Sequence, residues 1–247
     1  MLRYHRLHLK QKQNHSLYYP LKPDSVFKSV FSIIRDAVLK TKELKAYALN
    51  DSTQGFSLTH ELTLEQVNGI ISKDFLASIA IYCRDTTFHF PNEQSVDVGQ
   101  AEDCGGVIET WIKFIIYSEH VVKYEIVEDW YIDNKTGKQQ VKIAGISPII
   151  EEKDESGEFK GYKNLFWINF QELLPLLLKQ QIQTNDPNTT ETLADIFQKQ
   201  KFSSVIIKHS EEIDKRLNIS EHGLDGILKS SKIKEEQFNR EQDQWEH

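Results

Sequence analysis

The chain has 247 residues, 39% of them apolar and 27% charged, with a formal net charge of -7, a mean hydropathy of -0.51 and a pI of about 5.7. That length suits one large domain or two small ones and can bury a core without disulfide or metal staples. The charge balance excludes a general attraction to nucleic-acid phosphates or anionic lipid. No apolar run nears the roughly 20 residues that a membrane-crossing helix needs.

The first twelve residues run against that balance, with Arg3, His5, Arg6, His8, Lys10 and Lys12. No aromatic–basic interleaving continues beyond them, so they read as a solvated strand or tail, part of an N-terminal arm over residues 1–20. Residues 1–15 also lack the apolar stretch of a secretory signal, which implies a mature chain or a cytoplasmic protein. Pro20 and Pro23, followed by Asp24 and Ser25, predict an extended entry into a helix N-cap. From there Val26, Phe27, Val30, Phe31, Ile33, Ile34, Ala37 and Val38 recur at helical spacing, giving an amphipathic helix of about four turns.

Residues 50–55 read as a loop. Thr63 with Gln66 three positions on predicts a capping box for a short helix ending near Gly69. Leu76 to Tyr82 reads as a strand, and residues 91–106 as the longest loop, closing on Gly105-Gly106. Cys83 and Cys104 are too far apart for a redox CxxC and too few for zinc. A disulfide between them and two free thiols both fit their spacing.

The central block is β-rich. Val107–Tyr117, Val121–Asp133 and Val141–Ile150 read as strands, the last two joined at Asn134-Lys135-Thr136-Gly137, where glycine accepts a positive φ cheaply. Glu151–Gly161 is turn-rich, and Asn164–Phe170 reads as a buried strand. In the last third, Asn169 with Glu172 caps a leucine-rich helix in which Pro175 must lie in or near the first turn. Asp186-Pro187 opens another helix through Leu193, Ile196 and Phe197; Phe202–Ile207 is a short strand, and a long charged helix runs from Ser220 toward Trp245. The pattern predicts an α+β fold: an antiparallel sheet, with helices from the N-terminal and C-terminal parts of the chain. It predicts a single domain over 1–247, with a C-terminal helix at about 221–246.

No catalytic constellation assembles. His60-Glu61 starts like HExxH, but position 64 is leucine. Gly145-Ile146-Ser147-Pro148 is half of GxSxG, and Gly105-Gly106 lacks the Lys-Ser/Thr of a P-loop. His5 and His8 have no carboxylate near them in sequence, and His209, Glu211, Glu212 and Asp214 read as a solvated loop. Glu128 and Asp129 point to opposite faces of a strand and cannot converge on one bond. No catalytic, cofactor-binding or metal-binding residue is assigned, and no cofactor is expected. Trp111, Trp130 and Trp167 fall on predicted strands, where core packing is the ordinary use. Trp130-Tyr131 lies near a hairpin tip, where exposed aromatics would also suit a protein interface. Phe238 and Trp245, seven apart on the charged C-terminal helix, are anchors for a partner groove or rings folded back onto the sheet.

Several segments, in order and spanning nearly the whole chain, resemble the GldN/PorN family. They are Asn14–Pro20; the Val26–Val38 helix with Lys45-Ala46-Tyr47; Glu128–Asp133; Ile143–Pro148; Leu165–Ile168; Asp195–Phe197 through Phe202–Ser204; and Gly223–Asp225 to Ile233–Glu236 with Asp243–Glu246. Residues 83–106 follow no family pattern. The resemblance implies a non-enzymatic structural subunit of the periplasmic ring of type IX secretion and gliding motility, at the inner face of the outer membrane. It implies two partners, an outer-membrane lipoprotein of the GldK/PorK type and an inner-membrane-anchored protein of the GldM/PorM type, with no nucleic acid and no direct membrane insertion. The alternatives are a soluble adaptor of the same fold that joins no ring, and a hydrolase whose site is assembled from residues remote in sequence.

Overall fold

A computed structural model describes residues 2–23, 27–49, 56–80, 87–89, 95–97, 107–133, 137–154, 157–182 and 191–209. In chain order the elements are β1 (Leu2–His8), α1 (His15–Tyr18), α2 (Val30–Leu39), β2 (Ala46–Tyr47), α3 (Leu64–Ile71), β3 (Ser72–Ala80), β4 (Thr87–His89), β5 (Ser95–Asp97) and β6 (Val107–Ile115). They continue with β7 (Val121–Ile132), β8 (Gln139–Lys153), β9 (Phe159–Asn164), β10 (Trp167–Asn169), α4 (Phe170–Leu178), α5 (Leu193–Gln198) and β11 (Val205–His209). The chain divides into two compact units, Met1–Leu62 with Tyr117–His247, and Thr63–Ile116. The fold class is α+β, built on an antiparallel sheet.

The larger unit is that sheet, in the order β11-β1-β7-β8-β10-β2, with β9 also paired to β8. Every pairing in it is antiparallel. The expected hairpin is its spine: Tyr124 pairs Pro148, Ile126 pairs Ile146 and Ile132 pairs Gln139. Gly137, at the end of the turn, has φ +67, which costs glycine no Cβ clash. Residues 134–136 lie outside the described residues.

Both faces of the sheet are covered, which is why six consecutive β7 residues, Lys123 to Glu128, are buried. On one face Tyr4, Val127 and Trp167 form a core joined by Leu2, Tyr47, Phe56, Leu58 and Ile207. On the other, Tyr124 is fully buried with its hydroxyl on the backbone of Phe31 in α2, and burial holds its pKa far above the ordinary tyrosine value. An aromatic chain, Phe170–Phe197–Phe202, runs from α4 through α5 toward β11, with centroid separations of 5.1 and 6.0 Å.

The N-terminus departs most from the expected solvated strand or tail. β1 is an interior strand, between β7 and β11. Leu7 and Leu9 are fully buried, and Arg3 and His5 are buried with them. The charges that balance this strand lie on β7, more than a hundred residues away, out of reach of a local reading.

Other departures are smaller. α2 starts at Val30, not Val26, because Ser29 is the cap: its Oγ accepts from Ser32 N. That cap is tied further into a buried hydroxyl cluster, Ser29–Ser118 at 2.6 Å and Ser32–Ser118 at 2.8 Å. Pro175 lies in the second turn of α4, on its exposed side, and removes the helical donor to the Gln171 carbonyl. The Asn169 cap forms as expected, its side chain accepting from Gln171 N. α5 begins at Leu193 under a Thr192–Asp195 capping box rather than at Asp186-Pro187, which lies outside the described residues. Most of Glu151–Gly161 extends β8 and opens β9 instead of forming a long turn.

The smaller unit begins with α3, where Thr63 and Gln66 make the expected reciprocal capping box. β3 and β6 pair in unbroken antiparallel register, from Ser72 opposite Ile115 to Ala80 opposite Val107. β4 and β5 form a second small ribbon, so part of the expected 91–106 loop is strand. Trp111 on β6 is 70% exposed, not core: a two-stranded ribbon has a second face that its own strands cannot cover. Cys83 and Cys104 lie outside the described residues.

Candidate functional site

The densest polar chemistry among the described residues lies where β1 crosses β7. Arg3 faces Glu128 directly in the ladder, and His5 faces Ile126. Glu128 and Trp130, two apart on a strand, share a face. The Trp130 Nε1–H donates to Glu128 Oε2 at 3.0 Å. His5 Nε2 lies 3.1 Å from the same oxygen, and His5 Nδ1 lies 3.2 Å from Ser204 Oγ, just before β11. The Arg3 guanidinium stacks over the Trp130 ring, 4.0 Å from its centroid. Burial by itself would raise the Glu128 pKa, but the His5 contact, the Trp130 donor and the Arg3 charge outweigh it and hold the carboxyl below the ordinary glutamate range. Glu128 is therefore a buried carboxylate that accepts from Trp130 and has His5 and Arg3 beside it.

On the opposite face of the same strands, Arg6 pairs with Glu125 at 3.2 Å. Lys123 lies over the Tyr162 ring at 3.1 Å. Of the six basic residues in the first twelve, Arg3, His5 and Arg6 are thus engaged within the sheet, while Lys10 and Lys12 remain exposed.

Hydroxyl, imidazole and carboxylate stand in line at Ser204, His5 and Glu128, the order of a nucleophile, base and orienting acid. The His5 side chain is 8% exposed, so its chemistry is turned inward. The arrangement ties β1 to β7 and to the residue just before β11 by polar contacts. Only the Glu-x-Trp spacing of this cluster is visible locally; His5 and Ser204 are 199 residues apart.

The four residues proposed as partner contacts separate. Trp130 is buried, with its N–H on Glu128 and its face under Arg3. Its neighbour Tyr131 points the other way, is 42% exposed and donates to Gln140 Oε1 at 3.0 Å; Ile132 beside it is 66% exposed. Phe238 and Trp245 lie outside the described residues, as does the whole predicted C-terminal helix.

The broken motifs have structural uses. Glu61 is paired with Lys45 at 2.7 Å, and His60 with the Thr59 hydroxyl at 3.0 Å. Gly145 admits the ring of Phe56, which comes within 2.5 Å of where its Cβ would stand. Among the described residues no three His, Cys, Asp or Glu side chains converge as a metal site requires, and no helix is long and apolar enough to cross a membrane.

None of the curated proteins matches the chain. The family model described as "Gliding motility associated protein GldN" matches residues 3–246. That match runs through β1, the central hairpin and the segment after β11, so the chain belongs to the GldN family of gliding-motility-associated proteins.

Proposed function

We propose that this protein is a non-enzymatic structural subunit of a periplasmic ring that serves type IX secretion and gliding motility. The observation that carries it is the family match over residues 3–246, which takes in nearly all of the sheet. The partners are an outer-membrane lipoprotein of the GldK/PorK type and an inner-membrane-anchored protein of the GldM/PorM type. The protein works at the inner face of the outer membrane, without entering it.

Docking falls to the surface beside Tyr131 and to the segment from Leu224 to Trp245. Tyr131 offers an exposed aromatic on a rigid hairpin, and Phe238 and Trp245 are large rings on an otherwise charged stretch. The test is co-elution of the full chain with the lipoprotein partner on gel filtration. A large assembly supports the ring, a one-to-one complex supports an adaptor, and no complex sinks both. Truncation after Ser231 then tests the segment: a folded, truncated chain that assembles with unchanged affinity removes its docking role.

A hydrolase is the second reading, and the Ser204–His5–Glu128 line favours it. A fluorophosphonate probe that labels Ser204 in the full chain, and not a Ser204→Ala variant, would establish it. No labelling leaves the cluster a strand tie.

A further inference from the structure

Asn14 is fully buried and spends its whole side-chain amide on three backbone groups. Its Nδ2 donates to the carbonyls of His8 at 2.9 Å and Ser203 at 2.8 Å, and its Oδ1 accepts from Ser203 N at 2.9 Å. The two bonds to Ser203 form a closed ring, so the side chain imitates one more peptide of the β1–β11 ladder. A carboxamide supplies both the donor and the acceptor; an ionised aspartate lacks the donor, and leucine lacks both. The next residue, Ser204, meets His5 at 3.2 Å. The ladder beyond is short: Arg6 pairs Val205 and His5 pairs Ile206, then the register slips before Tyr4 pairs Lys208 and Arg3 pairs His209. Among the described residues β11 pairs with β1 alone. Ile206 is buried, while Val205 and Ile207 on either side are only half-buried.

A short, bulged edge strand held by one neighbour is the kind of element that opens locally, well below the cost of global unfolding. We propose that Asn14, assisted by His5, is a latch that holds β11 on the sheet, and that β11 is released as a unit when the latch opens. Closed, the latch fixes the start of β11 beside β1. Open, it frees β11 and uncovers the backbone N–H and C=O groups along one edge of β1. The latch stands on these hydrogen bonds alone; its use in assembly rests on the docking proposed for the C-terminal segment.

Native-state hydrogen exchange on the full chain, read by mass spectrometry, tests it. In Asn14→Ala, peptides covering Val205–His209 are expected to exchange about 10- to 100-fold faster than in wild type, the effect of stranding buried polar groups. Peptides of β7 and β8 should change less than about threefold. Ser204→Ala, which keeps the Asn14 ring and removes the His5 contact, is expected to give a smaller acceleration in the same peptides; it carries the test if Asn14→Ala does not fold. Acceleration of β11, β7 and β8 together, or none in β11, overturns the latch. Acceleration confined to β11 establishes it whether or not the chain truncated after Ser231 still captures the lipoprotein.

Discussion

The ring of Phe56 lies against the bare Cα of Gly145, so close that a Cβ there would stand 2.5 Å from both Cε2 and Cζ. The same ring meets Trp167 edge-on at 5.1 Å, so it has a packed neighbour on one side and the strand on the other. Gly145→Ala should therefore destabilise the fold by about 1–3 kcal/mol through overpacking. A double-mutant cycle with Phe56→Ala, read by denaturant unfolding, checks the cause. If the alanine costs as much without the Phe56 ring as with it, the ring is not what requires glycine.

Glu128 makes stability depend on pH. Its pKa is lower folded than unfolded, so the folded state releases this proton more readily. The stabilisation is complete above the unfolded glutamate pKa and is lost as pH falls through the lower, folded value. Glu128→Gln should cost about 1.5–3 kcal/mol at neutral pH, the range for a hydrogen bond to a charged group. It should also flatten the acid limb of a plot of stability against pH. Part of that limb will survive, because burial of Asp36 is outweighed by its bonds to Lys40 and Lys28, which lower its pKa in the same direction. An acid limb identical in the variant and the parent would show that Glu128 does not titrate below its unfolded value.

Trp130 and Tyr131 are neighbours with opposite expected phenotypes. Trp130→Phe keeps a ring under Arg3 but removes the donor to Glu128, and should cost about 1–3 kcal/mol in chemical unfolding. Tyr131→Ala should stay within about 0.5 kcal/mol of the parent, as exposed substitutions do. Its effect should appear in capture of the lipoprotein partner, with affinity lowered at least about tenfold if Tyr131 is an anchor. Unchanged capture by the folded variant removes Tyr131 from the interface.

Ser29 caps α2 and also meets Ser118, which precedes β7. Ser29→Ala should lose the cap and leave Ser118 short of a partner, costing about 1–2 kcal/mol. Ser118→Ala should leave the cap bond to Ser32 N in place and cost less. Thermal melts of both variants rank them; the reverse order would mean that the hydroxyl cluster, not the cap, carries the stability.

The strand pattern was legible wherever a local rule governs it. The Thr63–Gln66 capping box and the Asn169 cap depend on residues within a few positions of one another, and the Val121–Ile150 hairpin on two runs adjacent in sequence; each is where its residues predict. The family, too, was carried by ordered segments of sequence, and the match over residues 3–246 bears that out. Helix starts were less legible: α2 and α5 start at the Ser29 and Thr192 caps, and Ser29 is also tied to Ser118, a contact out of reach of a local reading.

The place of β1 was settled only by the tertiary structure. Arg3, His5 and Arg6 read locally as a solvated basic stretch, since nothing near them in sequence can neutralise or bury them. Glu125, Glu128 and Trp130 do so from β7, and Ser204 from the other end of the chain. A charge is cheap to bury only beside its partner, and those partners are brought there by the antiparallel pairing of strands more than a hundred residues apart. The sequence determined the hairpin, the caps and the family; the long-range strand order decided which polar residues would be interior, and so where the candidate site and the Asn14 latch would form.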